Sequence, residues 1–190
     1  MPRLFTGLEI PQMLRTRLSF LQSGLDTVRW VEPDDFHITL RFIGDVTPND
    51  ANAICEALSS RDWHTPKVTL GELKNFGNSK PSSIYASIKD DEGLSRLAAS
   101  HERMMQQLGL PSYGRKFTPH VTIARCRNAT KPLTVARYLA ENGGFSAPAF
   151  KPSRFMRYSA RDSTGGGPYK VEETWDFVPD EEAPLAAADR

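Results

Sequence analysis

Apolar and polar positions along the chain follow two rhythms, alternation in short runs and recurrence every three or four residues in longer ones. Leu4 to Leu8 is a short apolar run that predicts a strand. Ile10, Leu14, Leu18, Leu21 and Leu25 follow at spacings of four, four, three and four, which puts them on one face of a helix, with Pro11 where a first turn tolerates it. After Val28 to Val31, the run from His37 to Ile43 alternates as a strand does and closes at Gly44-Asp45. Thr47-Pro48-Asn49-Asp50 then offers an N-cap, a proline at the first helical position and an acid in the first turn, and Ala51, Ile54 and Leu58 continue the helix.

The same order returns in the second half. Ile84 to Ile88 alternates, and Leu94, Leu97, Ala98, His101, Met105 and Leu108 share a helical face. His120 to Arg125 reads as a strand, and Thr130-Lys131-Pro132 leads into a helix carrying Leu133, Ala136, Tyr138 and Leu139. His37 to His120 and Thr47 to Thr130 are both offsets of 83 residues. A repeat of this length predicts an α+β fold of two lobes related by a pseudo-twofold axis. Further strands are expected at Glu72 to Phe76, Arg154 to Tyr158 and Tyr169 to Phe177, the last two joined by a flexible hairpin at Ser163 to Gly167. The alanine-rich, acidic stretch from Pro179 to Arg190 is read as a mobile tail, leaving one domain over residues 1–178.

Composition narrows the function. A chain of 190 residues can bury about 70% of its extended surface and needs neither metal nor disulfide to hold a core. Cys55 and Cys126 form no pair at zinc-ligand or disulfide-framework spacing and are read as reduced, structural residues. With 24 basic against 23 acidic residues the net charge is +1, so no global field exists to hold long duplex nucleic acid. Any anionic substrate must be gripped locally. No apolar run approaches a membrane span and the start lacks a secretory apolar region, so the expected location is cytoplasmic, with no membrane partner.

The chemistry concentrates in the two His-x-Thr strands. Successive strand side chains point to opposite faces, so His37 shares a face with Thr39, and His120 with Thr122, each pair about 6.6 Å apart. Two such pairs facing each other can flank one phosphate-sized group and divide proton donation from proton acceptance. His101 falls on an apolar helical stripe and is read as core, and His64 as a loop residue. A regular strand aims Arg125 away from the site, whereas a bend near Ala124 turns it back; spacing leaves both open. Arg41, two beyond Thr39, shares the site-facing parity. Phe36, Phe117 and Trp30 lie near these strands, as stacking partners or as core. Asp34-Asp35 beside His37 is the nearest approach to a metal-ligand cluster and reads as a solvated turn, so no metal is expected. Gly165-Gly166-Gly167 lacks the spacing of a phosphate loop and is read as a turn.

These residues resemble the two-histidine phosphoesterase superfamily, and within it the LigT-type RNA 2',3'-cyclic phosphodiesterases once described as 2'-5' RNA ligases. The likeness runs from about Arg3 to Phe177 and rests on Arg3-Leu4-Phe5, Trp30-Val31, the segment His37 to Gly44, Phe117 to Arg125, Tyr158-Ser159 and Tyr169. The hairpin from Arg161 to Pro168 departs from the commoner loop pattern. The resemblance implies a bilobal fold with outer helices and a cleft between two antiparallel sheets. It also implies that His120 is the proton acceptor, that His37 is the proton donor, and that Thr39, Thr122 and Arg125 bind phosphate. The implied reaction opens RNA 2',3'-cyclic phosphate ends to 2'-phosphomonoesters without metal or other cofactor. The implied partner is such an RNA end or a cyclic nucleotide, with no obligate protein partner. Competing expectations are 2'-5' ligation, hydrolysis of a small cyclic nucleotide, a non-catalytic RNA-end binding module and a metal-dependent hydrolase.

Overall fold

A computed structural model describes residues 3–77, 79–160 and 167–178, so the expected tail and most of the last hairpin lie outside the described residues. In chain order the elements are β1 (Arg3–Glu9), α1 (Gln12–Ser19), β2 (Val28–Trp30), a 3-10 turn (Pro33–Asp35), β3 (His37–Asp45) and α2 (Pro48–Ser59). There follow β4 (Leu70–Phe76), β5 (Ser83–Ile88), α3 (Glu92–Gln107), β6 (His120–Cys126), α4 (Pro132–Glu141), β7 (Arg154–Ala160) and β8 (Tyr169–Asp176).

The helix signals hold with local differences. Thr47 caps α2 reciprocally: its hydroxyl accepts from the Asp50 backbone N–H at 3.2 Å, and the Asp50 carboxylate accepts from the Thr47 N–H at 3.3 Å. Its repeat partner Thr130 does not cap α4. Instead the Thr130 hydroxyl accepts from the Arg127 N–H and donates to the Thr27 carbonyl, tying two loops together. The buried face of α4 is Val135 and Tyr138, while Leu133 is exposed. Helix α1 stops short of Leu21 and Leu25, because the Gln22 side-chain amide donates to the Val31 and Ile123 carbonyls and Gly24 turns the chain at φ +78. Leu25 still reaches the core.

The strands form an eight-stranded sheet in the order β4-β5-β6-β3-β1-β7-β8, with β2 also paired to β6. Strand β6 gives one edge to β5 and divides the other, pairing β3 at its start through Ile38↔Val121 and β2 at its end. The two antiparallel sheets implied by the resemblance are thus continuous as one sheet among the described residues, its β4-β5-β6-β2 and β3-β1-β7-β8 groups joined at the pair Ile38↔Val121, with a His-x-Thr motif on either side of it. All four helices bury apolar residues in one cluster with Leu4, Leu8, Ile38, Val121 and Phe155. The opposite face carries the smaller group Phe5, Met156 and Tyr158.

A buried polar row crosses the helix side. Thr6 on β1 pairs in register with Arg41 on β3 and Arg157 on β7, and all three are buried. Arg157 donates to the Ala51 carbonyl at 2.6 Å, and Thr6 shares a 2.9 Å hydrogen bond with His101 of α3. His101 is fully enclosed against Trp63 and Phe155, as expected of a core histidine. Burial, with a smaller push from the Arg61 charge, lowers its pKa to about 3. The unfolded chain takes up this proton below the ordinary imidazole value and the folded chain does not, so stability is complete above about pH 6.5 and falls toward pH 3. We expect His101 to contribute a loss of stability that begins as the pH falls below about 6.5. Urea unfolding at several pH values measures the slope, and a Thr6→Val/His101→Leu pair should remove that part of it. An unchanged slope in the pair would assign the acid sensitivity elsewhere.

Candidate active site

His37 and His120 occupy the first positions of β3 and β6, and each is fixed in the same way. The His37 Nδ1–H donates to the Asp35 carbonyl at 2.7 Å, and the His120 Nδ1–H donates to the Thr118 carbonyl at 2.7 Å. The acceptors obey the repeat, 35 and 118 being 83 apart. A carbonyl oxygen can only accept, so Nδ1 keeps its proton in both rings and Nε2 is left for chemistry. Continuing the antiparallel register one residue either way from Ile38↔Val121 sets His37 opposite Thr122 and Thr39 opposite His120. On that continuation each imidazole stands across from the other motif's hydroxyl.

A bulge decides the arginine. Tyr85 of β5 faces Thr122 and Ile84 faces Ala124, leaving Ile123 unmatched. Ile123 and Ala124 are consequently both buried, and the next residue returns to the face of His120 and Thr122. Arg125 is therefore on the site side, and its Nε is enclosed with no hydrogen-bond partner among the described residues. The same bulge occurs at Leu40 in β3, where Gly7 faces Thr39 and Thr6 faces Arg41. A side chain at Gly7 would come within 2.8 Å of the Ile38 carbonyl, so glycine permits this close approach. Here the bulge turns Arg41 toward α3, where it is 4% exposed and ion-paired with Glu102, both residues lying at the α3 wall of the cavity described below. Phe42 occupies the place that Arg125 holds in the other half.

Aromatic rings pack around both imidazoles. Phe5 and Tyr169 lie 4.8 and 4.9 Å from His37, with Tyr158 at 5.5 Å, and Phe76 and Tyr85 lie 4.9 and 5.1 Å from His120. Of the aromatics singled out from sequence, Phe36 is core, Trp30 packs on Tyr138 and Phe117 lines the cleft. The roles of Phe76 and Tyr85 follow from strand pairing, which composition does not reveal. Asp34 is exposed, as a solvated turn requires, but Asp35 is half-buried and its carboxylate accepts from the Tyr169 N–H at 3.0 Å. One residue thus fixes His37 through its carbonyl and the start of β8 through its side chain.

Burial lowers the His37 pKa to about 4. The Asp35 carbonyl opposes the shift, and the charges of His120 and Arg125 add to it. His120 is also lowered, first by burial and then by Arg125, with the Thr118 carbonyl opposing. Both imidazoles are therefore neutral at pH 7 in the free protein, and an anion placed between them acts in the opposite sense. A cavity of about 1030 Å³ opens here, lined by Thr39, His120 and Arg125 together with Phe76, Phe117 and Tyr169; His37 and Thr122 do not line it. Among the described residues no three His, Cys, Asp or Glu side chains cluster as a metal site would require, and no helix is long and apolar enough to cross a membrane.

Comparison with known proteins shows what the chain as a whole is similar to. A family model described as LigT like Phosphoesterase matches residues 8–85 and again 88–169, so each matched stretch contains one His-x-Thr strand. The chain is 31% identical over 136 residues to an RNA 2',3'-cyclic phosphodiesterase of Aeropyrum pernix, covering 70% of this chain and 77% of that protein. It is 28% identical over 148 residues to one of Archaeoglobus fulgidus, covering 75% and 84%. Escherichia coli LigT complexed with 3'-AMP has the same fold, with a TM-score of 0.75 and 19% identity over 94% of this chain and 100% of that one. TT0787 of Thermus thermophilus superposes with a TM-score of 0.76 and 21% identity, covering 92% and 97%.

Proposed function

Because this chain belongs to the LigT-like phosphoesterase family, we propose that it is an RNA 2',3'-cyclic phosphodiesterase, opening the cyclic ester to a 2'-phosphomonoester. The observation that carries the reading is the pair of imidazoles at the starts of β3 and β6, each tied through Nδ1 to a backbone carbonyl, with an arginine on the same sheet face whose Nε has no hydrogen-bond partner among the described residues.

In the proposed reaction a water oxygen bonds to phosphorus as its proton passes to Nε2 of His120. The bond from phosphorus to the 3'-oxygen breaks, and that oxygen takes the proton from Nε2 of His37. Thr39, Thr122 and Arg125 hold the non-bridging oxygens and stabilise the charge that gathers on them as phosphorus becomes five-coordinate. His37 must enter this step protonated, although its pKa in the free protein is about 4. The bound phosphate supplies the difference, because an anion beside the ring favours imidazolium. No cofactor enters the scheme.

The test is incubation with an RNA oligonucleotide ending in a 2',3'-cyclic phosphate, in the presence of a chelator. Opening to a 2'-phosphate at an undiminished rate is the expected outcome. A 3'-phosphate product, or turnover abolished by the chelator, would overturn the assignment.

A further inference from the structure

We infer that the segment 111–117 forms a second phosphate subsite, in which Arg115 and Lys116 bind the phosphodiester preceding the terminal nucleotide and so favour oligonucleotide ends over cyclic mononucleotides. The inference rests on the reading that the cavity beside His120 takes the cyclic phosphate.

Three observations support it. The cavity, at about 1030 Å³, is at the top of the roughly 300–1,000 Å³ range of small-molecule sites, leaving room beyond one nucleotide. Its charge is one-sided: Arg3, Arg41, Arg115, Lys116 and Arg125 line it against the single carboxylate of Glu102. Arg41 is neutralised by Glu102, and Arg3 pairs with Asp45 at 3.3 Å. Arg115 and Lys116 have no ion-pair partner among the described residues, so beyond Arg125 they are the cations left for substrate. In a chain of net charge +1 this is a local concentration.

The segment is also held in place. The buried Arg41 donates to the Pro111 carbonyl at 2.6 Å, and Glu102 accepts from the Tyr113 N–H at 3.1 Å. Tyr113 is 40% exposed, with the guanidinium carbons of Arg41 and Arg115 at 5.5 and 5.8 Å from its ring centre. The ion pair that removes Arg41 from the active site thus secures the cavity wall bearing the two free cations, beside an aromatic face on which a base can stack.

The experiment compares kcat/KM for a trinucleotide ending in a 2',3'-cyclic phosphate with that for a 2',3'-cyclic mononucleotide. It also includes a trinucleotide whose penultimate linkage is an uncharged methylphosphonate. The wild-type protein should prefer the charged trinucleotide by about ten-fold, as one or two charge-assisted contacts provide. The methylphosphonate and the Arg115→Ala/Lys116→Ala double variant should each erase most of that preference, with the cyclic mononucleotide rate in the double variant within about two-fold of wild type. Equal losses on both substrates in the double variant, or a methylphosphonate as good as the charged chain, would overturn the inference. A wild-type protein that opens the ends without preferring the trinucleotide would overturn it while leaving the cyclic phosphodiesterase reading intact. One that opens neither substrate would overturn both.

Discussion

Alanine at His120 or at His37 is expected to lower kcat on a cyclic-phosphate RNA end by about 10²- to 10⁴-fold, the range general acid or base catalysis contributes. The two losses should not multiply in the double variant, since removing either group disables the same concerted transfer. Each histidine is a half-buried residue at the first position of its strand, bonded to one carbonyl of its own strand entry, so the variants should fold, and an unchanged near-ultraviolet spectrum would verify this. The pH profiles add a readout that a structural role would not produce. In the free protein both imidazoles titrate below their ordinary value, mainly through burial. The kcat/KM profile, which reports free enzyme, should rise with pH as His120 becomes neutral and fall as His37 loses its proton, giving an optimum below about pH 6.5. Bound phosphate raises both values, so the kcat profile should lie at higher pH. Superimposable profiles would contradict the proposed coupling, and a His37→Ala variant retaining a tenth of wild-type kcat would remove that residue from the role of acid.

Arg125→Ala should cost about 10²- to 10³-fold in kcat/KM, the loss that follows removal of one preorganised donor from a developing oxyanion. Lysine should restore little, because an ammonium cannot make the planar two-point contact of a guanidinium. An independent signature is available without substrate. The Arg125 charge lowers both imidazole pKa values, so Arg125→Ala should move both upward in an NMR titration of the free protein. Full activity in Arg125→Lys, or imidazole titrations unmoved in Arg125→Ala, would show that the side chain does not act on the phosphate and histidines together.

Much of this site could be read from the chain because its decisive residues alternate on short strands and recur at one offset. The α+β class, the two motif strands and the core position of His101 follow from periodicity alone. The arginines resisted such reading for a physical reason. Parity counts faces correctly only while a strand has no extra residue, and the bulges at Leu40 and Ile123 are visible only against the pairing strands β1 and β5. The aromatic surroundings of the imidazoles were hidden likewise, since Tyr85 reaches His120 through register and Phe76 through its stack on Tyr85. The contribution of Asp35 lies in a carbonyl and in a partner 134 residues distant, neither of which a local turn pattern encodes. The stop of α1 similarly depends on carbonyls of Val31 and Ile123, far along the chain.

The paired bulges carry one further consequence, for the direction in which a substrate lies. Both halves use the same strand geometry, the same His-x-Thr spacing and the same carbonyl anchor, so their main chains offer a phosphodiester two nearly equivalent orientations. Side-chain identity at one repeat-related position, Phe42 in one half and Arg125 in the other, removes the equivalence. On the proposed chemistry the anion settles toward the arginine, and the leaving oxygen is thereby turned toward the histidine of the opposite half. Acid and base are then not intrinsic properties of either strand. They are assigned by the side-chain difference at one repeat-related position, Phe42 against Arg125.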